Sequence, residues 1–223
     1  MEAFTLCEFL NERPSFELFK KMALCGIPIL YDHSGFSEEL LLSIVDKVKK
    51  LSFTNFNESD LMSEKAIEIM WISLAQMDTS EKVQLKIIES VNLASKSLVS
   101  FCSEMIGSSS GRENVLLAIV NLLESKKLSQ NNSEDSNFKA QLYYTILLCA
   151  NPSEKVIKKI ITVIKPKSTD YFNAFYMIMK EFGKNKNILK SVSKRLRNDL
   201  KSCINIGIDD STINQLLLLA NNI

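Results

Sequence analysis

Residues that break helices are scarce in this chain, which has six glycines and four prolines in 223 residues. Gly and Pro are the strongest local breakers of regular structure. Between them, apolar residues recur at intervals of three and four along most of the sequence. This spacing puts the apolar side chains on one face of an α-helix. The pattern therefore predicts an all-α protein of stacked antiparallel helices, with little room for sheet.

Apolar periodicity and capping residues together predict about ten to eleven helices. Ser37 is a predicted N-cap, and Ser110 with Glu113 fits a capping box at a later helix start. The residue before a proline avoids the helical region, so the segment around Pro28 is predicted to be extended. The predicted helices cover residues 2–10, 15–24, 37–51, 58–76, 81–106, 112–127, 138–150, 153–165, 169–182, 186–205 and 211–220.

The predicted helix over 81–106 is the longest. Its apolar residues Ile87, Val91, Ala94, Leu98, Phe101 and Met105 are spaced four and three apart in alternation. This spacing keeps one seam facing one neighbour. Coiled-coil pairing and a long central helix in a stack both fit the seam, and the apolar neighbours that widen it favour the central helix.

The helix starts recur at a regular distance. Starts near 14 and 58 lie about 44 residues apart, those near 37 and 80 about 43, and those near 112 and 153 about 41. Paired-helix repeats of the HEAT and armadillo type span about 40–47 residues. In this rhythm the chain resembles an armadillo/HEAT-like α-solenoid. The resemblance implies a stacked superhelix that binds proteins along one face, and a compact irregular helical domain is the alternative.

We expect residues 1–223 to form one helical domain. Residues 128–137 are polar and low in bulk, and they are predicted to form a mobile loop. The last predicted helix contains four consecutive leucines, which cannot all lie on a narrow inner face. We therefore expect at least one end of the chain to continue into a larger protein or to pack on a partner, with Leu216 and Leu219 as candidate contacts. The alternative is that the preceding helix buries residues 216–219 and the end of the chain frays.

The usual catalytic residues are sparse. His33 is the only histidine, and its neighbours Asp32 and Ser34 are adjacent in sequence, whereas a catalytic triad is defined by spatial roles. One histidine and scattered cysteines give no zinc spacing. Gly107–Gly111 lacks the longer gap and the Lys-Ser/Thr of a phosphate-binding loop. We predict no catalytic, cofactor or metal site, no small-molecule substrate and no enzymatic activity.

Five scattered cysteines without a CxxC pair predict buried free thiols and a reducing, intracellular compartment, either cytoplasm or nucleus. The N-terminal residues lack the features of a signal peptide, and no apolar run approaches the ~20 residues of a membrane span. We therefore expect no membrane partner.

The near-neutral net charge of +1 hides an uneven distribution. Residues 1–152 carry 14 basic and 20 acidic side chains, whereas residues 153–201 carry 13 basic and 4 acidic ones. Helical spacing places one group of cations on a single face, and a second group lies one or two helices earlier. These candidate partner-binding residues are Lys186, Lys190, Lys194, Arg197 and Lys201, with Lys155, Lys158 and Lys159.

Three interpretations of this basic region stay open. It is a solvated face, a docking face for an acidic protein segment, or a contact surface for nucleic-acid phosphates. Among functions, the sequence favours a non-enzymatic scaffold or adaptor that binds proteins as a subunit of a larger intracellular complex. A nucleic-acid-associated subunit is the alternative.

Overall fold

The computed structural model describes residues 36–52, 61–93, 95–126, 128, 132–165 and 169–206, with five positions between 211 and 221. These residues contain nine α-helices and no strand, which confirms the all-α prediction for the described part of the chain. The helices are α1 Glu38–Ser52, α2 Leu61–Gln76, α3 Glu81–Ser90, α4 Ser95–Ser108, α5 Glu113–Ser125, α6 Asn132–Cys149, α7 Glu154–Val163, α8 Thr169–Phe182 and α9 Lys186–Ile206.

The chain forms two compact units, Met1–Ser110 and Gly111–Ile223. In the first unit α1 packs beside α3, and α2 packs beside α4. Its core includes the fully buried Trp71, whose indole N–H donates to Ser52 Oγ at 3.0 Å and so ties α2 to the end of α1. A buried indole needs such a partner because its unpaired N–H would be costly.

The second unit repeats this arrangement with one more helix. Here α5, α7 and α9 lie side by side, and α6 packs beside α8. The buried Tyr143 of α6 donates its hydroxyl to Glu124 near the end of α5 at 2.6 Å. In both units an aromatic side chain with a polar tip joins the two rows of helices.

Most buried positions of α3 recur 73 residues later, in and after α7. Val83, Gln84, Ile87 and Ile88 of α3 and the following Val91 are buried, and so are the residues 73 positions later. Ser90 is buried as well, but its counterpart Val163 is only partly buried. The backbone also repeats: the N-cap Ser80 has φ −62° and ψ 152°, and Ser153 has φ −65° and ψ 161°. The two units therefore share an arrangement in two rows of helices, and α9 adds a third helix to one row of the second unit.

The predicted N-cap at Ser37 is confirmed, because its hydroxyl accepts from the Leu40 amide at 3.2 Å. The predicted capping box at Ser110 is wrong. Arg112 is the N-cap of α5 and makes no side-chain cap bond. The Glu113 carboxylate instead accepts hydrogen bonds from Ser153, the N-cap of α7, and from Lys155 within α7.

The predicted single helix over 81–106 is wrong, since residues 91–93 are not helical and separate α3 from α4. Val91 adopts an extended conformation, and its N–H still bonds the Ile87 carbonyl. The apolar seam continues through the break because α3 and α4 pack in different rows and both need a buried face. Tertiary packing thus overrides an uninterrupted helical period.

The predicted loop over 128–137 is also wrong in its second half, because α6 begins at Asn132 rather than near 138. Glu134 and Asp135 lie in its first turn, where negative charge suits the helix dipole. Asp135 also accepts a hydrogen bond from the Leu128 amide and pairs with Lys139 at 3.3 Å. The polar composition of this segment resembles that of a loop, but its polar side chains stabilise the first turn of a helix.

Cys102 is the one cysteine whose side-chain environment is described, and it is a buried free thiol, as predicted. Burial raises the pKa of its thiol to about 12, so it stays protonated and unreactive at neutral pH. His33, the segment around Pro28, and the predicted helices over 2–10 and 15–24 lie outside the described residues.

Candidate functional site

In the first unit one glutamate links the start of α1 to the start of α3. Glu38 opens α1, and its carboxylate accepts from Ser80 Oγ at 2.5 Å and from Lys82 Nζ at 2.8 Å. Ser80 is the N-cap of α3 and also accepts from the Val83 amide at 3.4 Å. We call this arrangement, a first-turn glutamate bonded to the N-cap side chain of the next helix in the row, a glutamate clasp.

The second unit contains the clasp twice. Glu113 of α5 accepts from Ser153 Oγ, and Lys155 Nζ lies 3.3 Å from its other oxygen. Glu154 of α7 accepts from Asn185 Nδ2 at 2.7 Å and pairs with Lys158 at 2.5 Å. Asn185 in turn caps α9 by accepting from the Ile188 amide at 3.4 Å.

The clasp lowers the pKa of all three glutamates below the ordinary 4.5. For Glu38 the largest cause is the hydrogen bond from Lys82, and for Glu154 it is the hydrogen bond from Lys158. For Glu113 it is the hydrogen bond from Ser153. Each carboxylate is therefore ionised at neutral pH and holds two neighbouring helix starts side by side.

These contacts divide the sequence-predicted cations into two groups. Lys155 and Lys158 form ion pairs with the clasp glutamates Glu113 and Glu154, so their primary role is structural. Lys159 lies beside them on α7, is half-buried, and takes part in no ion pair within the described residues.

The five predicted cations of α9 behave differently. All five are exposed, and none takes part in a salt bridge or side-chain hydrogen bond with any residue the structure describes. On the other side of the helix Val192 and Leu196 are buried. We call Lys186, Lys190, Lys194, Arg197 and Lys201 the α9 stripe.

A groove between α7 and α9 brings the two predicted cation groups together. Lys158 of α7 and Lys194 of α9 both line it, and its volume is about 630 Å³. The remaining lining residues are Ile161, Thr162, Ser191, Arg195, Asn198 and Asp199. They follow helical spacing on both walls, so each helix presents one continuous face to the groove.

Arg195 braces one wall of this groove. Its Nε donates to both carboxylate oxygens of Asp199 at 2.8 Å, and its terminal nitrogens donate to the carbonyls of Ile161, Thr162 and Ile164 at the end of α7. Asp199 also accepts from the buried Tyr171 hydroxyl at 2.6 Å. The guanidinium thus caps α7 and links it to α9, and its partner Asp199 extends the network to α8.

Sequence reasoning missed Arg195 as a separate element of the site. Arg195 and Asp199 are four apart, a spacing typical of a helical ion pair, and that was the available signal. The carbonyl contacts had no sequence signal, because they depend on where α7 ends. The predicted contacts Leu216 and Leu219 lie outside the described residues.

A second groove of about 660 Å³ lies between α1 and α3 in the first unit. Lys82 and Lys86 line it but pair with Glu38 and Asp46. The acids Asp46, Glu81 and Glu89 also line it, with Leu42 and Leu85. The two grooves therefore differ in the sign of their surplus charge.

Across the described ranges no helix is long and apolar enough to cross a membrane, and no three metal-ligating side chains converge. No protein-family model, curated protein or solved structure matches this chain. Function is therefore inferred from the geometry of the grooves and the α9 stripe.

Proposed function

We propose that this chain is a non-enzymatic helical scaffold or adaptor, a subunit of a larger intracellular complex, that binds an acidic segment of a partner protein along α9. The observation that carries the proposal is the α9 stripe, five exposed cations without an acidic partner among the described residues. Several other described cations do pair with acids, although Lys159, for example, does not; the paired ones include Lys82, Lys86, Lys139, Lys155, Lys158, Lys180 and Arg195.

An armadillo/HEAT-like solenoid is the architecture we propose for this scaffold. The repeated clasp, the two rows of helices in each unit and the 73-residue recurrence of buried positions support it. Solenoids stack similar repeats and present extended faces to their partners. In this interpretation α9 lies on such a face, with its apolar side packed inward.

The stripe recognises its partner by charge rather than by shape. Like charges held on one helix face repel one another, and an acidic segment relieves that repulsion when it binds. Complementary charge raises the association rate and makes it depend on salt, while adding less to the final affinity. Binding is therefore expected to be fast and sensitive to ionic strength.

The test is stopped-flow association of a dye-labelled Asp/Glu-rich peptide with the full chain. Reversing two stripe charges in Lys190→Glu/Lys194→Glu should slow association roughly tenfold and flatten its salt dependence. The matched control is Lys65→Glu/Lys126→Glu, the same charge change at two exposed lysines outside the stripe. Equal slowing in both variants, or no slowing in either, would contradict the proposal.

Nucleic-acid binding is the second candidate, and the linear order of the stripe favours it. The five cations follow one helix face over about 22 Å, at 1.5 Å per residue. The stripe contains no aromatic residue on which a base could stack. A micromolar affinity for DNA or RNA of unrelated sequence, falling steeply with salt, would favour this function over peptide binding.

A further inference from the structure

We propose that the acidic partner segment carries a phosphorylated serine or threonine, and that the α7–α9 groove binds the phosphoryl group between Lys158 and Lys194. This inference rests on the proposed function, because the acidic segment brings the phosphoryl group to α9. It adds the chemical class of the group that the groove selects.

The charge of the groove is the first argument. Among its lining residues only Lys158, Lys194, Arg195 and Asp199 are charged, and the last two neutralise each other in a two-oxygen contact at 2.8 Å. The Tyr171 hydroxyl further satisfies the Asp199 carboxylate. On one wall Lys194 is left without an acidic partner among the described residues, and on the facing wall Lys158 pairs only with Glu154, which does not line the groove.

Lys158 can exchange its partner at little cost. Its pairing with Glu154 is an i, i+4 contact on a partly exposed surface, a class that contributes little to stability. Glu154 keeps the Asn185 amide at 2.7 Å when the lysine turns away. The clasp between α7 and α9 therefore survives when Lys158 binds a ligand. Lys194 is exposed and has no acidic partner to leave among the described residues.

The two hydroxyl groups that line the groove do not compete with the ammonium groups for a ligand. The Thr162 and Ser191 hydroxyls each donate to a carbonyl of their own helix at 2.8 Å. Their protons are thus already used, so the two lysines supply the strong donors of the groove. A lysine ammonium is a compact charge with three donors and suits an anion with several acceptor oxygens.

A phosphate monoester matches two facing cations better than a carboxylate does. At neutral pH it carries a charge of about −1.5 to −2 and offers three acceptor oxygens, so it can accept from both walls at once. A glutamate side chain brings a single charge and two oxygens. The groove, at about 630 Å³, leaves room for the phosphorylated side chain.

The experiment measures fluorescence anisotropy of three peptides with the full chain. The peptides share one Asp/Glu-rich sequence and differ at a central position, which is serine, phosphoserine or glutamate. The phosphoserine peptide should bind roughly tenfold more tightly than the glutamate peptide, the effect of about one additional charge-assisted hydrogen bond. Lys158→Met and Lys194→Met should each remove most of this advantage.

The matched controls lie next to the two groove lysines. Lys159→Met on α7 and Lys190→Met on α9 remove neighbouring lysines that do not line the groove. They should keep the phosphoserine advantage, although Lys190→Met weakens all three peptides together. An advantage that survives in Lys158→Met/Lys194→Met would overturn the inference. Displacement of the phosphopeptide by an equal concentration of single-stranded DNA would overturn it in favour of nucleic acid.

The outcomes separate the two proposals. If the three peptides bind with similar affinity, the acidic docking face stands and the phosphate site does not. If only the phosphoserine peptide binds, the groove stands and general acidic docking fails. If none binds, both proposals fail.

Discussion

The α1–α3 pair and the α7–α9 pair are joined by the same glutamate clasp, yet their grooves carry different charge. Glu38 and Glu154 use first-turn positions to hold the next helix start. Each groove is lined by one clasp lysine, Lys82 or Lys158. The other lining charges differ: mostly acids between α1 and α3, and mainly cations between α7 and α9. The difference in groove charge therefore comes from positions outside the clasp, so the charge of a groove can change while the clasp that aligns its helices is kept.

The largest difference between the two helix pairs is the Arg195 brace. Residues 36–111 contain no arginine, so nothing equivalent is available to α1 and α3. Arg195→Met should lower the free energy of unfolding by roughly 3 kcal/mol, because it leaves Asp199 buried without its counter-charge. Urea unfolding followed by circular dichroism measures this.

The exposed Arg197→Met is the control for the brace, and we expect it to change stability by less than about 0.5 kcal/mol. Equal effects of the two substitutions would mean that Arg195 contributes only its general positive charge. The α7–α9 pair would then be no more firmly braced than the α1–α3 pair.

The two serine clasps should respond alike. Ser80→Ala and Ser153→Ala each remove an N-cap oxygen and a donor to a clasp glutamate, and each should cost about 1 kcal/mol. Thermal unfolding of the two variants beside Ser100→Ala, an exposed serine within α4, measures the difference. A neutral result in one variant and a cost in the other would show that the clasps are not equivalent.

The smallest effect is the pH dependence of the clasps. The folded pKa values of Glu38, Glu113 and Glu154 lie below their ordinary value of 4.5. Their stabilisation is therefore complete above about pH 4.5 and is lost as the pH falls through the lowered values. The triple Glu→Gln variant should show a flatter decline of stability below pH 4.5, measured by urea midpoints at several pH values.

Lys82 gives stability the opposite dependence on pH. Its hydrogen bond with Glu38 raises its pKa above 10.5, so its contribution to stability is present below that pH and is lost as the pH rises through the raised value.

A Glu→Gln triple variant whose stability falls with acid in the same way as that of the wild type would contradict the clasp account.

Local sequence features predicted much of the fold. The predicted N-cap at Ser37 is confirmed, because an N-cap serine acts within its own first turn, and the predicted helix starts at 81 and 153 lie at or next to the N-caps Ser80 and Ser153. The sequence did not predict the break after Ser90, because that break depends on the packing of α3 and α4 in two different rows. Nor did it predict that α6 begins at Asn132, because the polar and acidic residues of its first turn have the composition of a loop.

The candidate site was predictable only in part. Helical spacing identified the α9 stripe, because that pattern is local. It could not separate the stripe from Lys155, whose partner Glu113 lies 42 residues away. Nor could it show that Lys158 and Lys194 face one groove, since their proximity depends on the packing of α7 against α9.

The most direct test of the central claim is amide chemical-shift mapping of the chain titrated with the acidic peptide. The account predicts saturable shifts at Ser191, Lys194 and Asn198 on α9, and none at Leu42 or Leu85 of the α1–α3 groove. Shifts confined to the α1–α3 groove, or no saturable shift on α9, would contradict it.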